Sequence, residues 1–320
     1  MSKTVLVYSA AGSGGGSVDG ALYVTTPQSN FSNLLNKTTS DVADTTTTAQ
    51  GLQWIGTSAG NFPLGMARFV MTFDTSTLGS TAVVDSAFIR FLIAGAAPDT
   101  GQGQPDIHIT AAPASITDTL STSDFDRSNF GSTSFGSISY PLTSVSKSIN
   151  FNASGKAAIN TTGLSKFALR SDFDVSGSWT STGASNSTAF SIYTRDYSIL
   201  ADRPYLSVTY SAAPIVTTSA AINIGGTAAT GVGEVASDEG ETITERGFCW
   251  STSPNPTTAD DKVIVSGTTG AYEGSITGLS ASTGYHYRAY AINSIGTAYG
   301  SDTEFTTKSG DFKPKTFILT

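Results

Sequence analysis

Two runs dominate the alternation of apolar and polar positions along the chain, residues 67–73 and residues 87–93. In the first, Phe69, Met71 and Phe73 fall on one side of an extended chain, with Arg68, Val70 and Thr72 on the other. The second is apolar on both sides except at Arg90, the pattern of a strand near the middle of a sandwich. The segment between them, residues 74–81, is rich in turn formers. Together the two runs form the frame on which the first two hundred residues are expected to pack.

Shorter runs predict further strands. Residues 4–8 read as the first strand, 21–24 and 52–55 as two short ones, and 105–109 as another. Residues 9–20, with Gly12, Gly14, Gly15 and Gly16, read as loop. Between Thr117 and Thr143 the pattern is loop-like, anchored by Phe125, Phe130, Phe135 and Tyr140. Residues 148–151 and 167–170 read as strands, and 189–194 with 204–210 as a closing hairpin. In the last strand Tyr205, Ser207 and Thr209 share one face and Leu206, Val208 and Tyr210 the other. No stretch carries a sustained helical period, so the expected fold is all-β.

Composition agrees with this reading. Charged residues make up 13% of the 320, about half the usual share, and Ser, Thr and Gly take their place. Such a chain favours short strands and turns over helices. Its length suits two or three domains. The net charge of −8, with basic residues scattered, argues against a nucleic-acid surface. One cysteine permits no intrachain disulfide. No apolar stretch of about 20 residues exists, so no membrane span is expected. The apolar part of the N-terminus is short for a secretory signal, and the expectation is a chain folded in the cytoplasm.

Three segments carry a resemblance. Residues 68–74 (RFVMTFD), 84–91 (VDSAFIRF) and 203–210 (RPYLSVTY) resemble the DNRLRE-type carbohydrate-binding-module-like domains. The resemblance covers roughly residues 20–211 and implies a jelly-roll β-sandwich for a domain at residues 1–211, with glycan binding as an expectation. A boundary is expected at residues 211–214, open to proteolysis. Residues 215–307 resemble a fibronectin type III module, within a domain spanning 212–307. Gly247-Phe248-Cys249-Trp250-Ser251 resembles its buried-tryptophan strand, and Leu279 with Tyr285 its leucine and corner tyrosine. Residues 287–300 resemble the Y-x-R-A-Y-A-x-N run of bacterial and phage surface modules. Alternation by itself turns Tyr285, Tyr287, Ala289 and Ala291 inward and His286, Arg288 and Tyr290 outward. Residues 308–320 form a tail that starts as a linker and ends in an apolar run.

No chemistry stands out. Gly56-Thr57-Ser58-Ala59-Gly60 fits the serine-nucleophile pattern, but residues 61–65 cannot supply the helix that motif requires. His108 and His286 lack the paired spacing of metal ligands and read as strand-surface residues. Cys249 lies in a core strand without a basic neighbour and reads as inert. The acidic groups Asp124/Asp126, Asp172/Asp174, Asp238/Glu239/Glu241 and Asp260/Asp261 read as solvated loop charges, with calcium at Asp124/Asp126 as the minor alternative. The Gly12–Gly16 run lacks the Lys-Ser/Thr of a phosphate loop. Trp54, Trp179 and Tyr140 are the candidates for stacking on sugar rings.

The expectation is therefore a protein with no enzymatic activity, no cofactor and no metal site. It reads as a structural protein of a bacteriophage virion surface: a capsid decoration, fibre or tail-surface subunit. Its expected partners are other virion subunits, copies of itself as a homo-oligomer, and a cell-surface glycan, with no nucleic acid. The alternative is a glycan-binding adhesin module of a bacterial surface or secreted protein. The ligand-binding residues are unknown at this level.

Overall fold

The computed structural model describes residues 2–8, 19–24, 42–44, 49–55, 66–96, 106–116, 122–139, 146–177, 187–193 and 198–310. The fold is all-β, built of antiparallel sheets. Two compact units divide the chain: residues 4–80 with 84–209, and residues 1–3 and 81–83 with 210–320.

The first unit holds two sheets. In one, β1 (Lys3–Tyr8), β12 (Tyr205–Ser211), β6 (Val83–Ala96), β11 (Ser187–Tyr193) and β4 (Ala49–Ile55) lie in that order, and β9 (Ser146–Asn150) also pairs with β6. In the other the order is β3 (Val42–Asp44), β2 (Asp19–Val24), β5 (Met66–Asp74), β10 (Leu164–Ser171), β7 (Ile107–Ala111) and β8 (Gly136–Ile138). The two apolar runs that frame the unit, β5 and β6, thus belong to different sheets. The turn between them is held by Asp74, whose Oδ1 accepts from the Ser76 amide at 3.0 Å and from its hydroxyl at 2.6 Å. Leu78 then tucks into the core, and Gly79, at φ +86°, takes a backbone conformation that L side chains rarely adopt.

Strands 187–193 and 205–211 do not form the expected hairpin, because β6 is inserted between them. Two-sided burial also falls on the other frame strand. Residues Arg68 to Phe73 of β5 are all buried, whereas β6 alternates from Ala87 to Phe91, with Phe88 and Arg90 half-exposed, and is buried on both faces only from Phe91 to Ile93. A strand buried on both faces need not be apolar on both when one face carries a satisfied polar network. The core itself gathers around Phe167 of β10, with Phe73, Phe135 and Phe151 at centroid distances of 6.4, 6.1 and 4.9 Å. Phe151 follows directly on β9, so this cluster joins both sheets. Phe125, Phe130 and Phe135 are buried as anchors of their loop, and Tyr140 lies outside the described residues.

The second unit is built of two further β-sheets. Its three-stranded sheet orders β13 (Ile215–Thr218), β14 (Ala228–Ser237) and β17 (Gly270–Thr277). Its five-stranded sheet orders β16 (Asp261–Ile264), β15 (Glu245–Ser251), β18 (Gly284–Ile292) and β19 (Thr297–Tyr299), with β20 (Thr303–Thr306) also on β18. Phe248, Trp250, Tyr287, Ala289 and Phe305 build the core between them. Gly231 and Gly274 oppose each other in register, and a Cβ on either would come within 2.9 Å and 2.7 Å of the Phe248 ring. Two adjacent strands are thereby left bare where the phenylalanine lies on them. Tyr285 accepts a hydrogen bond from the Ser280 amide at 3.0 Å, the backbone tie of a tyrosine corner.

Tyr290 keeps the outward orientation that alternation predicts. It points to the outer side of β18 but is fully buried, with its hydroxyl donating to Glu245 Oε1 at 2.7 Å and its ring beside Tyr299. Residues 211–214 are buried rather than open. Asn293 Nδ2 donates to the Ala212 carbonyl at 2.7 Å, and the Ala212 amide donates to the Glu239 carbonyl at 3.3 Å.

Candidate functional site

A buried polar group of the first unit is assembled by β5, β10 and a helical turn. Arg68 on β5 and Arg170 on β10 are both fully buried, and Asp174, on the turn Asp172–Ser176 that follows β10, lies between them. Arg68 donates through Nε and Nη2 to the two carboxylate oxygens of Asp174, at 2.7 and 2.5 Å, a bidentate pair. Arg170 Nε adds a third bond at 2.6 Å. Remaining guanidinium donors reach backbone carbonyls: Arg68 to Phe125, Arg170 to Gly131 and Asp174. The rings of Phe125 and Phe130 cover the cations, with Arg68 4.1 Å from the first and Arg170 5.2 Å from the second.

Electrostatics follow from this geometry. Burial alone raises the Asp174 carboxyl, but the hydrogen bond and charge of Arg68, and then of Arg170, outweigh it and hold the group at about 2. Burial lowers Arg170, against the pull of Asp174. Asp174 is thus a buried charge and not the solvated loop carboxylate expected from sequence. Its neighbour Asp172 does stay half-exposed.

Arg127 adds a third guanidinium at the edge of this group. It donates from Nε to the Asp174 carbonyl at 2.9 Å and from Nη2 to the Val175 carbonyl at 3.1 Å. Beside it opens a cleft of about 390 Å³ lined by Asp126, Arg127, Ser128, Phe130, Ser132, Arg170 and Val175. Asp126 caps the turn Arg127–Asn129 by accepting from the Ser128 amide and hydroxyl, which lower its carboxyl. Asp124 accepts from Ser115 at 3.0 Å. The pair weighed for calcium is therefore drawn into local hydrogen bonds beside arginines. No group of three His, Cys, Asp or Glu fit to hold a metal occurs among the described residues.

A different feature occupies the outer face of the first sheet. Tyr8 of β1, Tyr205 of β12 and Phe88 of β6 stand side by side across three neighbouring strands, each half-buried. Their centroids are 5.4 Å apart for Tyr8–Tyr205 and 6.1 Å for Phe88–Tyr205, with ring tilts of 55° and 61°. Arg90 lies over Tyr205 at 5.6 Å, donating from Nε to the Ser146 hydroxyl and from Nη1 to the Ala201 carbonyl. On β9, Ser148 and Asn150 stand opposite Arg90 and Phe88, both exposed. Thr4 and Thr209 share a hydrogen bond of 3.0 Å at the far side. The sequence offers one outward aromatic on each strand, but joining them requires the strand order, which places β6 beside β12.

The residues singled out from sequence are otherwise apart. His108 Nδ1 bonds the Ser134 hydroxyl at 2.8 Å, while its Nε2 sits 3.4 Å from Asp172 outside hydrogen-bond geometry. His286, in the other unit, bonds Asp302 at 3.0 Å. Cys249 is fully buried, and burial pushes its thiol up to about 11. Glu239 is also buried, and Asp260 accepts from the Thr257 amide and hydroxyl. Gly56, Ser58, Gly60, Gly12–Gly16 and Trp179 lie outside the described residues, as does the side chain of Trp54. No helix among the described residues is long and apolar enough to cross a membrane.

No family model matches the chain, and no curated protein does. Among solved structures, the sensor domain of the anti-sigma factor RsgI4 of Pseudobacteroides cellulosolvens is similar over 30% of this chain and 96% of its own, at 15% identity and a TM-score of 0.23. The fibronectin type III domain of human fibronectin type III domain containing protein 3 is similar over 33% of this chain and 95% of its own, at 22% identity and a TM-score of 0.24. A β-1,2-glucanase of Parabacteroides distasonis is similar over 82% of this chain and 37% of its own, at 10% identity and a TM-score of 0.20.

Proposed function

We propose that this chain is a non-enzymatic structural protein of a bacteriophage virion surface, as a capsid decoration, fibre or tail-surface subunit. The observation that carries the reading is where the perturbed ionisable groups go. Acid–base and nucleophilic catalysis call for groups tuned toward neutral pH. Here the buried Asp174 carboxyl is held at about 2 and the Cys249 thiol is pushed up to about 11, both away from it. The buried cluster of Arg68, Arg170 and Asp174 binds strands to loops, which is a building role.

Two features support the surface setting. The single cysteine is buried, so neither unit depends on an oxidising compartment. The strand β1 ends its sheet among the described residues, with Leu6 at its centre 48% exposed. Such an edge adds readily to a neighbouring copy. A glycan-binding adhesin module is the second reading, favoured by the aromatic row on the outer sheet face.

Mass spectrometry of virions purified from a lysate decides between them. The virion reading expects the intact chain at a fixed ratio to the major capsid protein. Recovery only from the bacterial surface or the secreted fraction rejects it in favour of the adhesin.

A further inference from the structure

His286 and Glu304 stand opposite each other in register on β18 and β20. Asp302, just before β20, accepts from His286 Nδ1 at 3.0 Å and from the Asn255 amide at 2.9 Å. A carboxylate oxygen only accepts, so the ring proton sits on Nδ1 and the neutral imidazole presents an unprotonated Nε2. That nitrogen faces Glu304 Oε1 at 3.5 Å, so two acceptors point at one space with no hydrogen between them. Asp302 Oδ1 adds a buried oxygen without a hydrogen-bond partner among the described residues. Two carboxylates thus surround one imidazole. Arg288, the next outward residue of β18, is turned to the Gly300 carbonyl at 2.8 Å and to the Tyr299 ring at 4.7 Å.

We propose that His286 and Glu304 bind a divalent transition-metal ion of the zinc class, with Asp302 positioning the imidazole. Ligands on a tetrahedral zinc ion at ordinary bond lengths stand about 3.4 Å apart, close to the separation found here. An imidazole nitrogen selects zinc or its neighbours over calcium and magnesium, which prefer oxygen throughout. The Asp302–His286 bond is the outer contact that fixes the tautomer of a metal-bound histidine. Glu304 is 77% exposed, and a cleft of about 510 Å³, lined by both residues and by Thr252 and Thr306, leaves room for water on the remaining positions. Two protein ligands make an exchangeable site and not a structural one. His108 also meets a carboxylate, Asp172 at 3.4 Å, but its Nε2 is buried and its Nδ1 meets a hydroxyl that can donate or accept. Neither a fixed tautomer nor an open coordination side is present there. The inference stands apart from the virion reading, since zinc uptake and presence in particles are measured separately.

The test is isothermal titration calorimetry of the full untagged chain with zinc chloride near neutral pH, with calcium chloride as the hard-cation arm. A saturable site should appear and should be unmoved by excess calcium. Asp302→Asn should weaken it about 10–100-fold, the range for losing an outer partner of a ligand. His286→Gln should abolish it, and His108→Gln should leave it intact. Ring-nitrogen NMR of the unaltered chain gives a readout independent of variant folding, because the chain has two histidines and so two ring patterns. Without metal the His286 ring should show the Nδ1–H tautomer; zinc should then shift its Nε2 signal and leave His108 in place. No saturable zinc uptake means that a proton alone bridges the pair, and it overturns the proposal. So do full affinity in folded His286→Gln or Asp302→Asn variants, displacement by calcium, and a shift confined to His108.

Discussion

Asp174 shows how one side chain can organise a loop region. Its carboxylate accepts from two buried guanidiniums that come from different strands, and its own backbone carbonyl takes bonds from Arg127 and Arg170. Removing the charge leaves two buried cations facing a neutral amide. Asp174→Asn should therefore destabilise the first unit by about 3–5 kcal/mol, the range for breaking a buried pair. Urea unfolding of the variant would measure it, and a loss below 1 kcal/mol would contradict a buried charged pair. The same group sets an acid limit. Its folded value of about 2 lies below the ordinary 3.8, so its contribution is present above the ordinary value and lost as pH falls through the folded one. Roughly 2 kcal/mol should disappear between about pH 4 and pH 2, and Asp174→Asn should flatten that part of the stability profile. In sequence Asp172 and Asp174 look alike. What separates them is Arg68, 106 positions away, and no local pattern reports a partner at that distance.

At the scale of elements, alternation identified most strands and left their partners open. Residues 189–194 and 204–210 each read correctly as strands. Their adjacency in sequence suggested a hairpin, yet β6 lies between them. Period-two patterning tells which side of a strand is buried, but the neighbour is chosen by long-range packing. The same limit hid the aromatic row, whose three members come from strands far apart in the chain. The second unit was more legible because alternation along single strands, as at Tyr285, Tyr287, Ala289 and Ala291, already marks its core residues. There, Gly274 is bare because Phe248 occupies the space above it, at 2.7 Å from where a Cβ would stand. Gly274→Ala should cost about 1–3 kcal/mol by overpacking, and thermal melting would show it. Leu6 makes the opposite kind of prediction. On an edge strand, a charge at its centre blocks pairing without touching the core. Leu6→Lys should leave melting unchanged and shift light scattering from oligomer toward monomer; an unchanged mass would remove β1 from the contact.

For the whole molecule, what matters is that each unit has its own aromatic core. One is gathered on Phe167 between Phe73, Phe135 and Phe151; the other runs from Ala229 to Phe305 around Phe248 and Trp250. The length implied more than one domain, and the sequence placed a boundary at residues 211–214, open to proteolysis. Residues 211–214 are instead buried, and the Ala212 backbone is bonded to Asn293 and Glu239. Small residues such as Ala212 and Ala213 gave no local sign of what covers them. Proteases should accordingly spare this junction in the folded chain. Two cores also make a prediction about cooperativity. Trp250 is 7% exposed within the second core, and Trp250→Ala deletes a large aromatic from it. The expected loss is about 3–5 kcal/mol. Calorimetry should show this as a lower transition temperature for the second unit, while the transition of the first, which shares none of that core, keeps its position. A shift of both by the same amount would mean that the chain unfolds as one cooperative body.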